Sequence, residues 1–321
     1  MSVAIHYHEH YPASQQDGMR DEILAGFAAT PKHTSPKYFY DARGSALFEI
    51  ICQQPEYYPT RTEEAILARA AGEIAELAGP DAPLLELGSG ASRKVRLLLD
   101  AMQPCRYLGI DISRDFLIDS TRRLAADYPW LEVHAACADF STPLQLPDDF
   151  AQARPLAFFP GSSISNFDPP QALAFLRNLH GLLPPGSGLL IGVDLIKDIR
   201  VLEAAYNDEA GVTAAFNLNL LERIRAELDS DVNPRAFVHH AFYNAAAKRI
   251  EMHLVSKRAQ TVQIADRCFH FQAGESLHTE NSYKYSVAGF RQLAARAGFG
   301  AVALWTDPNA LFSVHYLCSE T

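Results

Sequence analysis

The stretch Leu84-Leu85-Glu86-Leu87-Gly88-Ser89-Gly90-Ala91-Ser92 limits the fold more than any other part of the chain. One acid interrupts a short apolar run, and two glycines follow one residue apart. The run predicts a buried parallel strand. The glycines predict a tight turn at which backbone without a Cβ approaches a ligand closely. A helix is predicted from Ser92 through Lys94, Val95, Leu97, Leu98 and Met102, its apolar residues at helical spacing. Strand, glycine turn and helix make the first half of a nucleotide-binding βαβ unit, so the chain reads as α/β.

Which nucleotide follows from two details. A dinucleotide fingerprint needs a third glycine, and Arg93 stands at that position. Glu86 precedes the first glycine by two residues, an arrangement that resembles the first motif of class I S-adenosylmethionine (SAM) methyltransferases. Tyr107 to Ser113 predicts a second strand ending in Asp111, whose carboxylate can accept both ribose hydroxyls. Ala136-Cys137-Ala138-Asp139-Phe140 closes a third, where Asp139 can accept from an adenine amino group and the Phe140 ring can pack on the base. Gly88, Asp111, Asp139 and Phe140 in this order favour SAM. An NAD(P) site, or a turn that binds nothing, is the alternative.

Partners are bounded by charge and cysteine usage. The net charge is −10 with no lysine-rich or arginine-rich block, so a nucleic-acid partner is not expected. The 48% hydrophobic and 21% charged composition is that of a soluble globular chain. Five scattered cysteines without a C-x-x-C pair fit reduced thiols in the cytoplasm. Neither a signal peptide nor a bilayer-spanning run is visible, so no membrane partner is expected. The expected molecule is a monomer acting on a small molecule. His6, His8 and His10 alternate near the start. Such a pattern can chelate a metal, but a solvated flexible arm over 1–18 is the preferred reading, and no metal site is expected.

Further along, Met19 to Ala28 and Thr62 to Leu77 predict helices. Between them, Pro36 to Ser45 and Pro55 to Glu63 are dense in aromatics and prolines. They read as a lid whose phenols line a pocket, or as packed loops. Strand four, Leu156 to Pro160, runs into Gly161 to Phe167, where Asn166 either meets a methyl acceptor or caps the next helix. Strand five is Leu189 to Leu195. The last helix and two strands of the core are recognisable only at the end, from Val287 to Cys318. Roughly ninety residues intervene, far beyond an ordinary connection. They predict an inserted α+β lobe that packs with the N-terminal segment, with the acceptor pocket between lobes. The predicted organisation is 61–196 and 286–321 for SAM binding, with 19–60 and 197–285 for substrate.

These residues together resemble the histidine Nα-methyltransferases of ergothioneine biosynthesis. The shared stretches include Pro36-Lys37-Tyr38-Phe39-Tyr40-Asp41, Pro55 to Glu63, Glu86 to Gly90, Asp194-Leu195-Ile196-Lys197-Asp198, Ala210 to Asn217 and Arg249-Ile250-Glu251-Met252. The resemblance implies a class I fold with a Rossmann-like seven-stranded sheet and a second α+β lobe. It implies successive methylation of the L-histidine α-amine to hercynine, with SAM as donor and no metal. By position it puts Gly88, Lys94, Asp111, Asp139 and Phe140 on SAM. It puts Tyr57, Asn166 and Tyr206 on the amino-acid backbone as the catalytic set, with Tyr40 nearby. Glu280 and Ser282 would hold the imidazole, with Met252 beside the ring.

The residue types suit that chemistry. Methyl transfer from a sulfonium needs mainly a neutral, oriented amine. Phenols and an amide can hold the amine and carboxylate, and aromatic faces tolerate a growing quaternary ammonium. Each residue also has a plainer role: Tyr206 in a core, Glu280 and Ser282 as a cap ahead of Val287. Competing functions are a same-fold methyltransferase for tryptophan, another amino acid or a modified histidine, and a non-enzymatic SAM-binding protein.

Overall fold

The computed structural model describes residues 5–9, 15–140, 142 and 144–320. The chain divides into two compact units. One takes the N-terminal strand, Pro59–Lys197 and the chain from Lys284 onward; the other takes the chain from the first helix to Tyr58 and Asp198–Tyr283.

The first unit is organised by one eight-stranded sheet. Its strands lie in the order His6–Glu9, Glu132–Cys137, Arg106–Asp111, Leu84–Leu87, Leu156–Phe159, Gly188–Asp194, Phe312–Ser319, Phe299–Thr306. All neighbours are parallel except that Phe312–Ser319 runs antiparallel to the strands on both sides. Parallel strands covered on both faces need apolar residues throughout, and Leu84–Leu87 and Gly188–Asp194 are buried at every position. Leu85, Leu87, Leu108 and Ile110 pack on one side with Phe175, Leu176 and Phe290. Leu84, Tyr107, Val133 and Leu190 pack on the other with Ile66, Leu67, Leu98 and Leu124. This is the class I methyltransferase fold, with one strand beyond the seven expected.

Within the arm expected over 1–18, residues 6–9 form this extra strand. His6–Glu9 pairs in parallel with Glu132–Cys137, His6 opposite His134 and His8 opposite Ala136. An alternating polar segment can sit at a sheet edge because only one of its faces needs cover. His10 lies outside the described residues.

A four-stranded sheet forms the second unit, in the order Lys32–His33, Ser276–Tyr283, Arg249–Ser256, Phe237–Asn244, with a separate hairpin of Gln260–Ile264 and Arg267–Phe271. The helix Val212–Glu227 packs on this sheet and on the helix Ala42–Ile51. Asp41 caps that shorter helix, accepting from the Gly44 N–H, and also accepts from Asn219 Nδ2 at 2.8 Å. A Cβ at Gly44 would stand against the Phe39 carbonyl, so the Phe39-to-Gly44 turn needs glycine there.

The connection between Asp194 and Tyr285 is closed inside the first unit. Asp194 binds Lys197 at 2.5 Å and Lys284 at 2.8 Å. Leu195 and Tyr285 form an isolated parallel bridge. Burial opposes the charge on Asp194, but the ammonium groups of Lys284 and Lys197 hold its carboxyl below the ordinary value. Burial draws the Lys197 ammonium down to about 8. Among the described residues no helix is long and apolar enough to cross a membrane.

Candidate active site

In the first unit, strand ends and the glycine turn bring the expected cofactor residues to one edge. Gly88 and Gly90 take left-handed backbone, at φ +70° and +49°. The Gly88 and Ser89 N–H groups both donate to the Ile110 carbonyl. A Cβ on Gly88 would stand 3.5 Å from the Phe140 ring, which itself packs edge-on against Phe159 and Phe175. Asp111 accepts from the Gly90 and Ser113 N–H groups, each at 2.9 Å. Its burial raises the carboxyl above the ordinary value, and these backbone donors pull the other way. The turn, Asp111 and the Asp139-Phe140 pair thus follow three neighbouring strands, in an arrangement that fits SAM. The helix after the turn starts at Val95, because Ser92 is itself left-handed at φ +51°.

Lys94 leads to a residue whose role the sequence left unmarked. Its ammonium binds Glu63 Oε2 at 2.5 Å, and that oxygen also accepts from the Gly161 N–H at 2.8 Å. Glu63 is fully buried, and a Cβ on Gly192 would stand 2.0 Å from its Oε1. Gly192 is therefore small because Glu63 occupies the space. The available signal was a carboxylate on the apolar helix face that carries Ile66, Leu67, Ala70 and Ile74. That helix runs Tyr58–Ala78. The aromatic loop therefore ends at Tyr57, and the lid reading of Pro55 to Glu63 is corrected from Tyr58 on.

Asn166 ends a short 3-10 turn, Ser163–Asn166, and is half-buried. The following helix is capped by Asp168 through a capping box with Gln171, so Asn166 is not its cap. Ser162, left-handed at φ +57°, accepts from the Asp194 N–H at 2.8 Å and fixes the start of this loop.

The second unit gathers the expected acceptor residues from separate segments. Tyr57 and Tyr206 have ring centroids 6.4 Å apart, and the Tyr206 hydroxyl donates to Ser282 Oγ at 2.7 Å. Burial pushes the Tyr57 phenol well above its usual value; nearby Tyr206, Cys52, Tyr40 and Glu280 push the same way. Tyr40 stands edge-on to Phe48 and Phe216, and Phe48 to Tyr57. Tyr206 is buried, which is compatible with its plainer role in a core, but its hydroxyl belongs to the polar cluster.

Glu280 and Ser282 do not cap a helix. They lie on the strand Ser276–Tyr283, and Ser286 caps Val287–Arg296. A bulge sets which way they face. His278 pairs with His253, whereas Glu280 pairs with Met252 and Ser282 with Ile250. Neighbours 252 and 253 project to opposite faces. The extra residue, Thr279, therefore turns Glu280 and Ser282 onto the face that carries buried Met252. Thr279 Oγ1 donates to Asn217 Oδ1 at 2.8 Å and to the Met252 carbonyl at 3.0 Å. Asn217 Nδ2 reaches His239 Nδ1 at 2.9 Å, and His239 Nε2 reaches the Tyr206 carbonyl at 2.9 Å. The amide donor and the carbonyl acceptor require neutral His239 with its proton on Nε2. Burial keeps that imidazole below its ordinary value. Asn217, His239 and Thr279 form a hydrogen-bonded chain behind this face that sequence reasoning missed; polar residues without a local motif give no signal in one chain.

Comparisons with known proteins identify the family. Residues 19–319 match the family described as "Histidine-specific methyltransferase, SAM-dependent". Histidine N-alpha-methyltransferase of Mycolicibacterium smegmatis is 42% identical over 94% of this chain and 95% of its own length. Its namesake from Mycobacterium tuberculosis is 40% identical over 92% and 93%. Among solved structures, the CcbJ methyltransferase from Streptomyces caelestis covers 79% of this chain and 90% of its own, at 18% identity and a TM-score of 0.47. With the family match running through nearly the whole chain, this protein belongs to the histidine-specific, SAM-dependent methyltransferases.

Proposed function

We propose that the chain methylates the α-amine of L-histidine in successive steps, giving hercynine, the first step of ergothioneine biosynthesis. The observation that carries the acceptor assignment is the bulge-directed face of Glu280, Ser282 and Met252. On it, Glu280 supplies the acceptor for an imidazole N–H, Ser282 a second hydrogen bond, and Met252 an apolar wall. The names of the two relatives support the same acceptor.

Gly88, Lys94, Asp111, Asp139 and Phe140 would hold SAM, which supplies an electrophilic methyl on its sulfonium. Lys94 is the cation for a carboxylate, and Glu63 fixes its position. Asn166, with a donor and an acceptor on one amide, orients the amino-acid backbone. Tyr57 and Tyr206 orient it as well. With its phenol held neutral at working pH, Tyr57 is a hydrogen-bond partner rather than a base. The amine loses its proton to water before each transfer, and the tyrosine faces accommodate the cation that builds up. The enzyme works as a cytoplasmic monomer on this small molecule.

The test is kcat/KM for histidine, tryptophan and phenylalanine, with mass spectrometry of the products. Histidine should be preferred and should carry one, two and then three methyl groups. Equal or better use of tryptophan would defeat the acceptor assignment. Products that stop at one methyl group would defeat the hercynine assignment alone.

A further inference from the structure

The N-terminal histidines serve no purpose in methyl transfer, yet they meet a matching pair on the neighbouring strand. His6 and His8 are two apart on one strand, and Glu132 and His134 two apart on the next. Alternation puts each pair on one face. The parallel register sets His6 beside His134 and brings the two pairs together. His134 Nε2 lies 3.1 Å from Glu132 Oε1, and His6 Nε2 lies 3.7 Å from the same oxygen. The three ligand atoms are all within 4.8 Å of one another.

We propose that His6, Glu132 and His134 bind a divalent transition-metal ion of the zinc class, with His8 fixing the ligating tautomer of His134. Tetrahedral zinc with bonds of about 2.0–2.1 Å separates its ligand atoms by roughly 3.3 Å. The separations of 3.1 and 3.7 Å bracket that spacing. Two imidazoles and a carboxylate are the donor set zinc takes when it keeps a fourth position for water. His8 Nε2 is 3.1 Å from His134 Nδ1. With Nε2 of His134 on the metal, its Nδ1–H donates to His8, the outer partner a ligating histidine needs. Arg106 donates to the other carboxylate oxygen at 3.3 Å, leaving Oε1 toward the imidazoles. His134 is buried while His6 and Glu132 are half-exposed at 54% and 42%, so an ion can enter from solvent. Once bound, it staples the edge strand to its neighbour.

A second group, Glu251, His253 and His278, meets the same distance criterion and serves as an internal control. There Arg249 donates to one carboxylate oxygen from two nitrogens, at 2.8 and 2.7 Å, and Asn244 donates to it as well. The guanidinium there is closer and held by two bonds, against the single 3.3 Å bond of Arg106 to Glu132, so a metal ion meets the stronger competing cation at Glu251.

The experiment uses full-length protein without a histidine tag, and Zn²⁺ in competition with a chromogenic chelator. The expected result is one equivalent bound at micromolar or tighter affinity. His6→Ala and Glu132→Gln should each weaken it about tenfold or more, and His8→Ala about tenfold through the lost outer partner. Both ligand positions chosen are half-exposed, so folding is not at risk. Co²⁺ should show the strong visible bands of a tetrahedral site, lost in His6→Ala. His253→Ala should change nothing. Absence of micromolar Zn²⁺ binding, indifference to His6→Ala and Glu132→Gln, or loss on His253→Ala would each overturn the proposal.

Discussion

The two units differ in the charge set around their proposed sites. In the first, three carboxylates are already answered: Glu63 by Lys94, Asp194 by Lys197 and Lys284, and Asp111 by two backbone N–H groups. In the second, the proposed acceptor residues are neutral phenols, a hydroxyl and a thioether around one acid, Glu280. A fixed electrostatic frame suits a cofactor that is the same in every turnover. A mainly neutral set around one acid suits choosing among amino acids, because acceptors then differ in whether they can hydrogen-bond to that acid.

The comparison is broken most severely by deleting Thr279. Without the extra residue the ladder becomes regular with Glu280 still opposite Met252, but the bend and the Thr279 hydrogen bonds to Asn217 and the Met252 carbonyl, which set the aim of Glu280 and Ser282, are lost. Turnover of histidine should fall by about a hundredfold or more, while calorimetric SAM affinity stays close to wild type. Equal loss of both would mean that the bulge serves folding rather than selection.

Asp111→Ala tests the other half. SAM affinity should drop by about one to three orders of magnitude, the range for losing charge-assisted hydrogen bonds. Unchanged calorimetric affinity would remove Asp111 from the cofactor site. Relative use of histidine and tryptophan at saturating SAM should not move.

Glu280→Ala sharpens the contrast with a smaller effect. Histidine should lose about 2 kcal/mol of transition-state binding, roughly thirtyfold in kcat/KM, and indole acceptors should gain relative to it. Preserved preference for histidine would show that another group selects.

The smallest effect concerns Glu86, the acid ahead of the glycine turn. Burial raises its carboxyl from 4.5 to about 8, while a 2.6 Å bond from the Tyr107 hydroxyl works against that rise. The folded protein therefore keeps a proton that the unfolded chain loses. Its contribution to stability is full below about pH 4.5 and is lost as pH climbs to about 8. Between about pH 6 and pH 8, wild type without SAM should lose more Tm than Glu86→Gln. Parallel slopes would mean that Glu86 is ionised in the fold.

How much of this was legible in the sequence follows the same division. The cofactor half depends on strand ends and one turn, so Leu84 to Ser92, Asp111 and Asp139-Phe140 are readable as local pattern. Asn166 was placed in the right loop, although only the structure separates it from the helix cap. The acceptor half depends on register. Tyr57, Tyr206 and Glu280 were named by resemblance, but the strand Ser276–Tyr283 was not recognised, since its bulge breaks the alternation that marks strands. Glu63 was hidden for another reason: its partners Lys94, Gly161 and Gly192 are distant in sequence. The terminal histidines looked solvated because a single edge strand carries no apolar run.

The double grip of Asp194 on Lys197 and Lys284 bears on how such a chain can carry a long insertion. Closing a loop costs entropy that grows only logarithmically with its length. Once both ends are pinned at one carboxylate, that cost falls on the sheet and hardly depends on what lies between. The inserted segment can then lengthen, shorten or change its residues while strand Gly188–Asp194 keeps its partners. Acceptor recognition is free to diversify on a cofactor-binding core that stays the same.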